Sequence, residues 1–298
     1  MSRRHLRLLR DSALSLVLGW GVMAGGSRLL PDTLAFSLWL VIQAIFFVIA
    51  ALVVLTVMQA HLIFAPGELP RDLPLQLPHD ARELWLEGDP SVHALWVPAP
   101  GATKALLYCH GNAGHLGHRI GSAQGLRQAL GVSILAFDYP GFGKSHGSPS
   151  ERGCYAAGET ALAWLKTQGF TDEAVVLLGK SLGGGVATEL AQRHPQISAL
   201  ILSRTFCSIP DMAQRLYKLR LGPLVHHRFD NQAKLPHIQV PTLLVYGSDD
   251  TLCPAILGET LHAVANAPKH LLVLQGDHHV SPDDERFYSA VRNWLTSF

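Results

Sequence analysis

Charge is scarce in this chain. Asp, Glu, Lys and Arg make up only 16% of its 298 residues, and the formal net charge is +1. A balance so near zero offers no electrostatic footprint for nucleic acid, and no nucleic-acid partner is expected. Cysteine is sparse too. Cys109, Cys154, Cys207 and Cys253 stand far apart with no C-x-x-C among them, which excludes a disulfide scaffold and a thiolate metal site. Cys109 lies in an apolar run, where a buried inert thiol is the default. There is no H-E-x-x-H. His110, His115 and His118 are close together, and the last two could share a helix face, but no carboxylate supports them. Neither a metal nor a cofactor is expected.

Hydrophobic residues, by contrast, make up 48% of the chain, and the N-terminus accounts for the excess. From Leu34 to Met58 there is no charge, and Ser37, Gln43 and Thr56 are the polar interruptions. As a helix this run covers roughly 37 Å, against a hydrocarbon core of about 30 Å, which predicts a transmembrane helix. Before it lie the basic stretch Arg3–Arg10 and a shorter apolar run from Ser12 to Ser27, closed by Arg28. That run is a short first span, an interfacial helix or a signal-peptide core. A basic N-terminus stays cytoplasmic. One span then exports the rest of the chain, whereas a hairpin turning at Leu29–Asp32 returns it to the cytoplasm; the cysteines, without obvious partners, lean towards the reducing side.

The organisation expected is an anchor over residues 1–64, a Pro-rich linker over 65–80 and one α/β domain over 81–298. The domain opens with Glu83–Glu87 and Val92–Val97 around Gly88-Asp-Pro-Ser91, a hairpin signal. Apolar strand runs follow at Lys104–Cys109, Val132–Phe137, Val175–Leu178, Ala199–Leu202, Thr242–Tyr246 and Leu271–Leu274. Helical patterns lie between and after them at Gly117–Leu130, Tyr155–Gln168, Val186–Arg193, Pro254–Val264 and Asp283–Leu295. Such alternation predicts a mostly parallel sheet with helices on both faces and an antiparallel edge. The interval from Thr205 to Pro236 is longer than a crossover needs and is expected to form a small cap.

Within this frame Gly179-Lys-Ser-Leu-Gly183 joins a strand to a helix. A G-x-S-x-G in that setting is a nucleophile elbow, with Ser181 held at a sharp turn between glycines. A Walker-type phosphate loop would need an upstream glycine that is missing. An attacking serine requires a base, an acid to orient it and donors for the oxyanion. The acid is expected at Asp250, in the loop after Thr242–Tyr246, with Asp249 as a turn residue. The base is expected at His278, after the last strand, rather than at His279. The oxyanion donors are expected to be the amides of Leu182 and of Asn112 or Ala113, the latter two in His110-Gly-Asn-Ala-Gly114. His110 and Asp138 are read as bracing residues of their loops. A metal enzyme and an inactive, tethered binding module are the rival classes.

From about Ala65 onward the chain resembles the α/β-hydrolase superfamily, and within it the membrane-anchored, short-capped serine hydrolases that include protein depalmitoylases. The matching stretches are His110–Gly114, Asp138-Tyr-Pro-Gly-Phe-Gly-Lys-Ser145, Gly179–Gly184, Thr205–Pro210 and Arg228-Phe-Asp230, with Asp250 and His278. The resemblance implies the same triad, an acyl-enzyme intermediate and a small-molecule or lipidic acyl ester or thioester substrate, or an acylated protein, beside the lipid bilayer. A peptidase or amidase would use the same residues. Ser203-Arg204 departs from the family's frequent Glu-Asn, and Arg204 is read as facing an anionic substrate group.

Overall fold

A computed structural model describes residues 32–67, 69–70, 74–89, 91–218, 220, 222–278 and 285–297. The basic N-terminus, the first apolar run, His279 and the expected start of the last helix at Asp283 lie outside these residues. The chain divides into two units, Met1–Val57 and Met58–Phe298. In the first, the described residues belong to α1 (Asp32–Ile63), a helix that continues into the second unit. Its stretch Phe36–Ile63 is long and apolar enough to cross a membrane.

The second unit is built on an eight-stranded sheet. Its strands are β2 (Arg82–Leu86), β3 (Val92–Val97), β4 (Ala105–Cys109), β6 (Ser133–Phe137), β7 (Val175–Lys180), β8 (Ala199–Ser203), β9 (Thr242–Gly247) and β10 (Lys269–Leu274). Two further strands of two residues each, β1 (Ala65–Pro66) and β5 (Ala113–Gly114), form a separate parallel pair. The order across the main sheet is β10-β9-β8-β7-β4-β6-β3-β2. β2 and β3 pair antiparallel, as does β3 with β6; every other neighbour pair is parallel. The five central strands β4, β6, β7, β8 and β9 are buried almost throughout, whereas β2 and β10 are partly exposed at the edges. Leu, Ile, Val and Ala fill those central strands because both faces are covered, so neither face needs polar residues.

The covering helices are α2 (Ile120–Leu130), α3 (Glu151–Thr167), α4 (Leu182–Arg193), α7 (Ala255–Val264) and α8 (Glu285–Leu295). One core cluster packs Leu107, Leu177, Leu202 and Leu244 against α3 and α4; the other packs Leu106, Ile134, Ile201 and Val245 against α2 and α8. Local signals fix the helix ends. Ser150 accepts the Gly153 N–H at 3.0 Å to cap α3. The interval from Thr205 to Pro236 holds α5 (Ile209–Tyr217), a single turn at Gly222–Leu224 and the short α6 (Asn231–Lys234).

Residues 65–67, expected to begin the linker, are hydrogen-bonded into the domain. Ala65 N–H donates to Asn112 O at 2.9 Å, and Gly67 N–H to Gly114 O at 3.0 Å. Phe64 is buried and meets Phe142, Phe229 and His227 edge-on.

Candidate active site

The elbow is where β7 hands over to α4. Ser181 has φ 51° and ψ −117°, a left-handed conformation that a side-chain-bearing residue adopts only under constraint. The constraint is visible on both sides. A methyl group on Gly179 would lie 2.5 Å from Gly183 O and 2.6 Å from Gly184 Cα, and one on Gly183 would overlap the Cys109 carbonyl. The turn is pinned by Ser181 N–H donating to Ser203 O at 2.9 Å and by Thr205 Oγ1–H donating to Ser181 O at 2.7 Å. Tyr246 OH in turn donates to Thr205 O at 2.9 Å.

Asp250 and His278 stand beyond the ends of the neighbouring strands β9 and β10. His278 Nδ1 lies 2.7 Å from Asp250 Oδ2. The other carboxylate oxygen of Asp250 accepts the amides of Leu252 at 2.9 Å and Cys253 at 2.7 Å, which fixes the plane of the group. Asp250 is buried and Asp249 exposed. That contrast follows from the turn: Asp250 folds inward over its own following amides while Asp249 points to solvent.

The loop after β4 lies beside the elbow: a methyl group on Gly111 would stand 3.5 Å from Ser181 Cβ. Its ladder with β1 runs through the carbonyls of Asn112 and Gly114 and leaves the amides of Asn112 and Ala113 outside it. The Leu182 amide is the first of α4 and has no intrahelical acceptor. The side chain of Asn112 also donates to Ile63 O at 2.9 Å.

Behind this loop lies a buried charge network of which the sequence pointed to Asp138 and His110 but not to His93, Glu83 or Lys144. Asp138 accepts His93 Nδ1–H at 2.9 Å and Leu116 N–H at 3.0 Å, and His110 Nε2 stands 3.5 Å away as an electrostatic neighbour. His93 Nε2 meets Glu83 Oε1 at 2.8 Å, and Glu83 also holds Lys144. Burial alone would raise the Asp138 carboxyl, but the rings of His110 and His93 outweigh it and hold it below the usual aspartate range. His110 Nδ1 bonds Gly111 O at 2.7 Å, and Tyr139 OH donates to His110 O at 2.7 Å. His110 and Asp138 thus brace the loop from beneath. No sequence period announces Glu83 and His93, although their alternation on a paired hairpin is consistent with side chains meeting across strands.

Arg204 is 1% exposed at the end of β8, with φ 48°, and its N–H donates to Val245 O at 2.8 Å. It is an interior residue of the β8–β9 seam rather than an open wall of the site. His115 caps its own helical turn through Gly117 N–H, and its ring stacks on His118 at 4.0 Å between centroids. Among the described residues no three His, Cys, Asp or Glu side chains are gathered as metal ligands.

A mostly parallel sheet with a serine elbow after β7 and a carboxylate–histidine pair beyond β9 and β10 has the architecture of an α/β hydrolase. Comparison with known proteins agrees. The alpha/beta hydrolase fold family model matches residues 104–229. An uncharacterised protein of Mycobacterium tuberculosis is 36% identical over 201 residues, covering 66% of this chain and 71% of that protein. Lysophosphatidylserine lipase ABHD12 of Mus musculus is 31% identical over 216 residues, covering 65% of this chain and 54% of the lipase. The Pyrococcus furiosus esterase Pf2001 shares the fold with a TM-score of 0.63 at 18% identity, over 79% of this chain and 99% of that one. The chain belongs to the α/β-hydrolase superfamily, and its reaction class is hydrolysis.

Proposed function

We propose that this chain is a membrane-anchored serine hydrolase that cleaves lipid-like acyl esters or thioesters. The reading is carried by the hydrogen bond between His278 Nδ1 and Asp250 Oδ2 at 2.7 Å, on the same sheet edge as the strained Ser181. With Nδ1–H donating to Asp250, Nε2 is the ring atom that exchanges a proton with Ser181. Ser181 Oγ attacks the acyl carbonyl while His278 takes its proton. The amides of Leu182 and Asn112, with Ala113 as the alternative to Asn112, stabilise the oxyanion. His278 then protonates the leaving alcohol or thiol, and water, deprotonated by the same ring, releases the acid from the acyl-enzyme.

Two observations support a lipidic substrate: a helix long and apolar enough to enter a bilayer, and a relative named as a lysophosphatidylserine lipase. The anchor would keep the site near acyl chains. The deciding experiment is fluorophosphonate labelling of wild type and Ser181→Ala, followed by a chain-length panel of esters, thioesters and amides. Label on the wild type alone, with esters or thioesters turned over in preference to amides, is the expected result. Undiminished labelling of Ser181→Ala defeats the serine assignment, and a preference for amides makes the enzyme an amidase using the same triad.

A further inference from the structure

The cap carries a surface for which the hydrolytic reading has no use. α5 turns Met212 inward but leaves Leu216 at 47% and Tyr217 at 61% exposure, and Leu224 beyond it at 36%. Interleaved with them along the chain are Arg215, Lys218 and Arg220, all exposed. The three cations rim a hollow of about 610 Å³ with an apolar floor at Met212 and Leu257. One carboxylate, Asp211, shares the rim, and its Oδ2 accepts Ser208 Oγ–H at 2.6 Å. The face therefore has an excess of positive charge. Leu and Tyr interleaved with Lys and Arg suit the boundary between lipid headgroups and acyl chains, where apolar side chains sink in and cations meet anionic headgroups.

Gln59 ties the cap loop to α1. Its side chain is buried, with Nε2–H donating to Leu224 O at 2.6 Å and Oε1 accepting the His226 N–H at 2.8 Å. Gln59 belongs to α1 and directly follows Met58, the last residue of the uncharged run. The cap loop is thus bonded to the helix within a turn of the point where that run ends. Arg228 extends the tie by donating to Gly222 O at 3.0 Å.

We propose that the exposed cap face is a docking surface for an anionic lipid bilayer, the same one that α1 enters. Leu216, Tyr217 and Leu224 lie at the headgroup–acyl boundary, and Arg215, Lys218 and Arg220 bind lipid phosphates and carboxylates. The proposal rests on α1 as the membrane anchor. It adds a second, charge-dependent contact that holds the cap, and so the chain leading to Thr205 and Ser181, against the lipid surface.

The test uses the full chain reconstituted in phosphatidylcholine vesicles with and without phosphatidylserine. All four native cysteines are buried, so Leu216→Cys can carry an environment-sensitive dye alone. The expected result is a blue shift, protection from iodide and quenching by spin-labelled acyl chains, each larger when phosphatidylserine is present. Neutralising Lys218 or Arg220 to Gln should lower the docked-to-free ratio about fivefold each, as expected for one basic residue near an anionic surface. Co-flotation of the chain with vesicles reports the anchor separately. A chain that floats while the dye stays fully open to iodide overturns the docking. A shift of equal size with and without phosphatidylserine overturns the anionic assignment. A chain that does not float removes the anchor and this proposal together.

Discussion

The side-chain amide of Asn112 reaches 49 positions back along the chain to donate to the carbonyl of Ile63, the last residue of α1. The contact joins the helix that carries the apolar span to the loop from which an oxyanion donor is proposed. Asn112→Ala keeps the backbone amide but releases this tie and frees the loop to drift. A displacement of about an ångström at a reacting centre can lower a rate about a hundredfold. The expected outcome is a fall in kcat of about ten- to a hundredfold, with KM nearly constant and Tm close to wild type, since one neutral hydrogen bond contributes only about 1 kcal/mol. Steady-state kinetics alongside a thermal melt checks it, and a change confined to KM would place Asn112 in substrate binding instead.

Asp250→Asn should preserve the fold, because the side-chain oxygen can still accept the Leu252 and Cys253 amides. It cannot hold the imidazole in the same tautomer, and in a serine triad that loss is about 10⁴ in kcat. Asp249→Asn, at an exposed position, should leave kcat within a few-fold of wild type. Measuring the two variants together separates the acid from its neighbour, and equal losses would remove Asp250 from its role.

Most of the sheet was legible because its central strands are buried: β4, β6, β7, β8 and β9 read as short apolar runs closed by His, Asp, Gly or Ser. The turn at Ser181 and the Asp250–His278 pair that the structure brings together were legible as candidates because each follows an apolar strand run. What was not legible is long-range and short in extent. β1 and β5 are two residues each, too brief for any period, and Gln59 meets Leu224 across 165 positions. Proline-rich composition suggested a linker where residues 65–67 instead pair with the loop beside Ser181. Arg204 was read as facing an anionic substrate group, yet it is buried and its backbone continues β8 into the seam with β9.

The elbow glycines and a surface glycine should respond with opposite sign. A methyl group on Gly183 meets the Cys109 carbonyl, which is fixed in β4, so Gly183→Ala forces the helix away from the sheet and should destabilise by about 3 kcal/mol or more. Gly121 lies in α2 with nothing within 4 Å of such a group. Gly121→Ala should stabilise by about 0.5–1 kcal/mol through helix propensity. Urea melts of both variants test the close packing of elbow and sheet, and a neutral Gly183→Ala would contradict it.

Thiol alkylation should not inactivate the enzyme. Burial raises the thiols of Cys109, Cys154 and Cys253, and pushes Cys207 up to about 11. At neutral pH the thiolate fraction is negligible and access is closed. Iodoacetamide should leave fluorophosphonate labelling unchanged in the folded protein and modify all four cysteines only after unfolding. Parallel loss of labelling and activity in the folded state would show that one thiol is reachable and coupled to the site.

Acid should weaken the fold through the network behind the oxyanion loop. Asp138 titrates below its ordinary value of 3.8 in the folded protein, despite the opposing effect of burial, because the rings of His110 and His93 favour the carboxylate. Glu83 lies below 4.5 for the same kind of reason, burial being outweighed by Lys144 and His93. A depressed folded pKa means that the unfolded chain binds the proton more readily. The stabilisation is therefore fully present above about 3.8 for Asp138 and is lost as pH falls through the lower folded value. Asp138→Asn removes the charge on which both histidines depend and should lower stability at pH 7 by about 3 kcal/mol or more, as breaking a buried pair does. The variant should also lose less stability than wild type between pH 5 and pH 3. Denaturant midpoints across that range give both slopes, and equal slopes would mean that Asp138 does not carry the acid sensitivity.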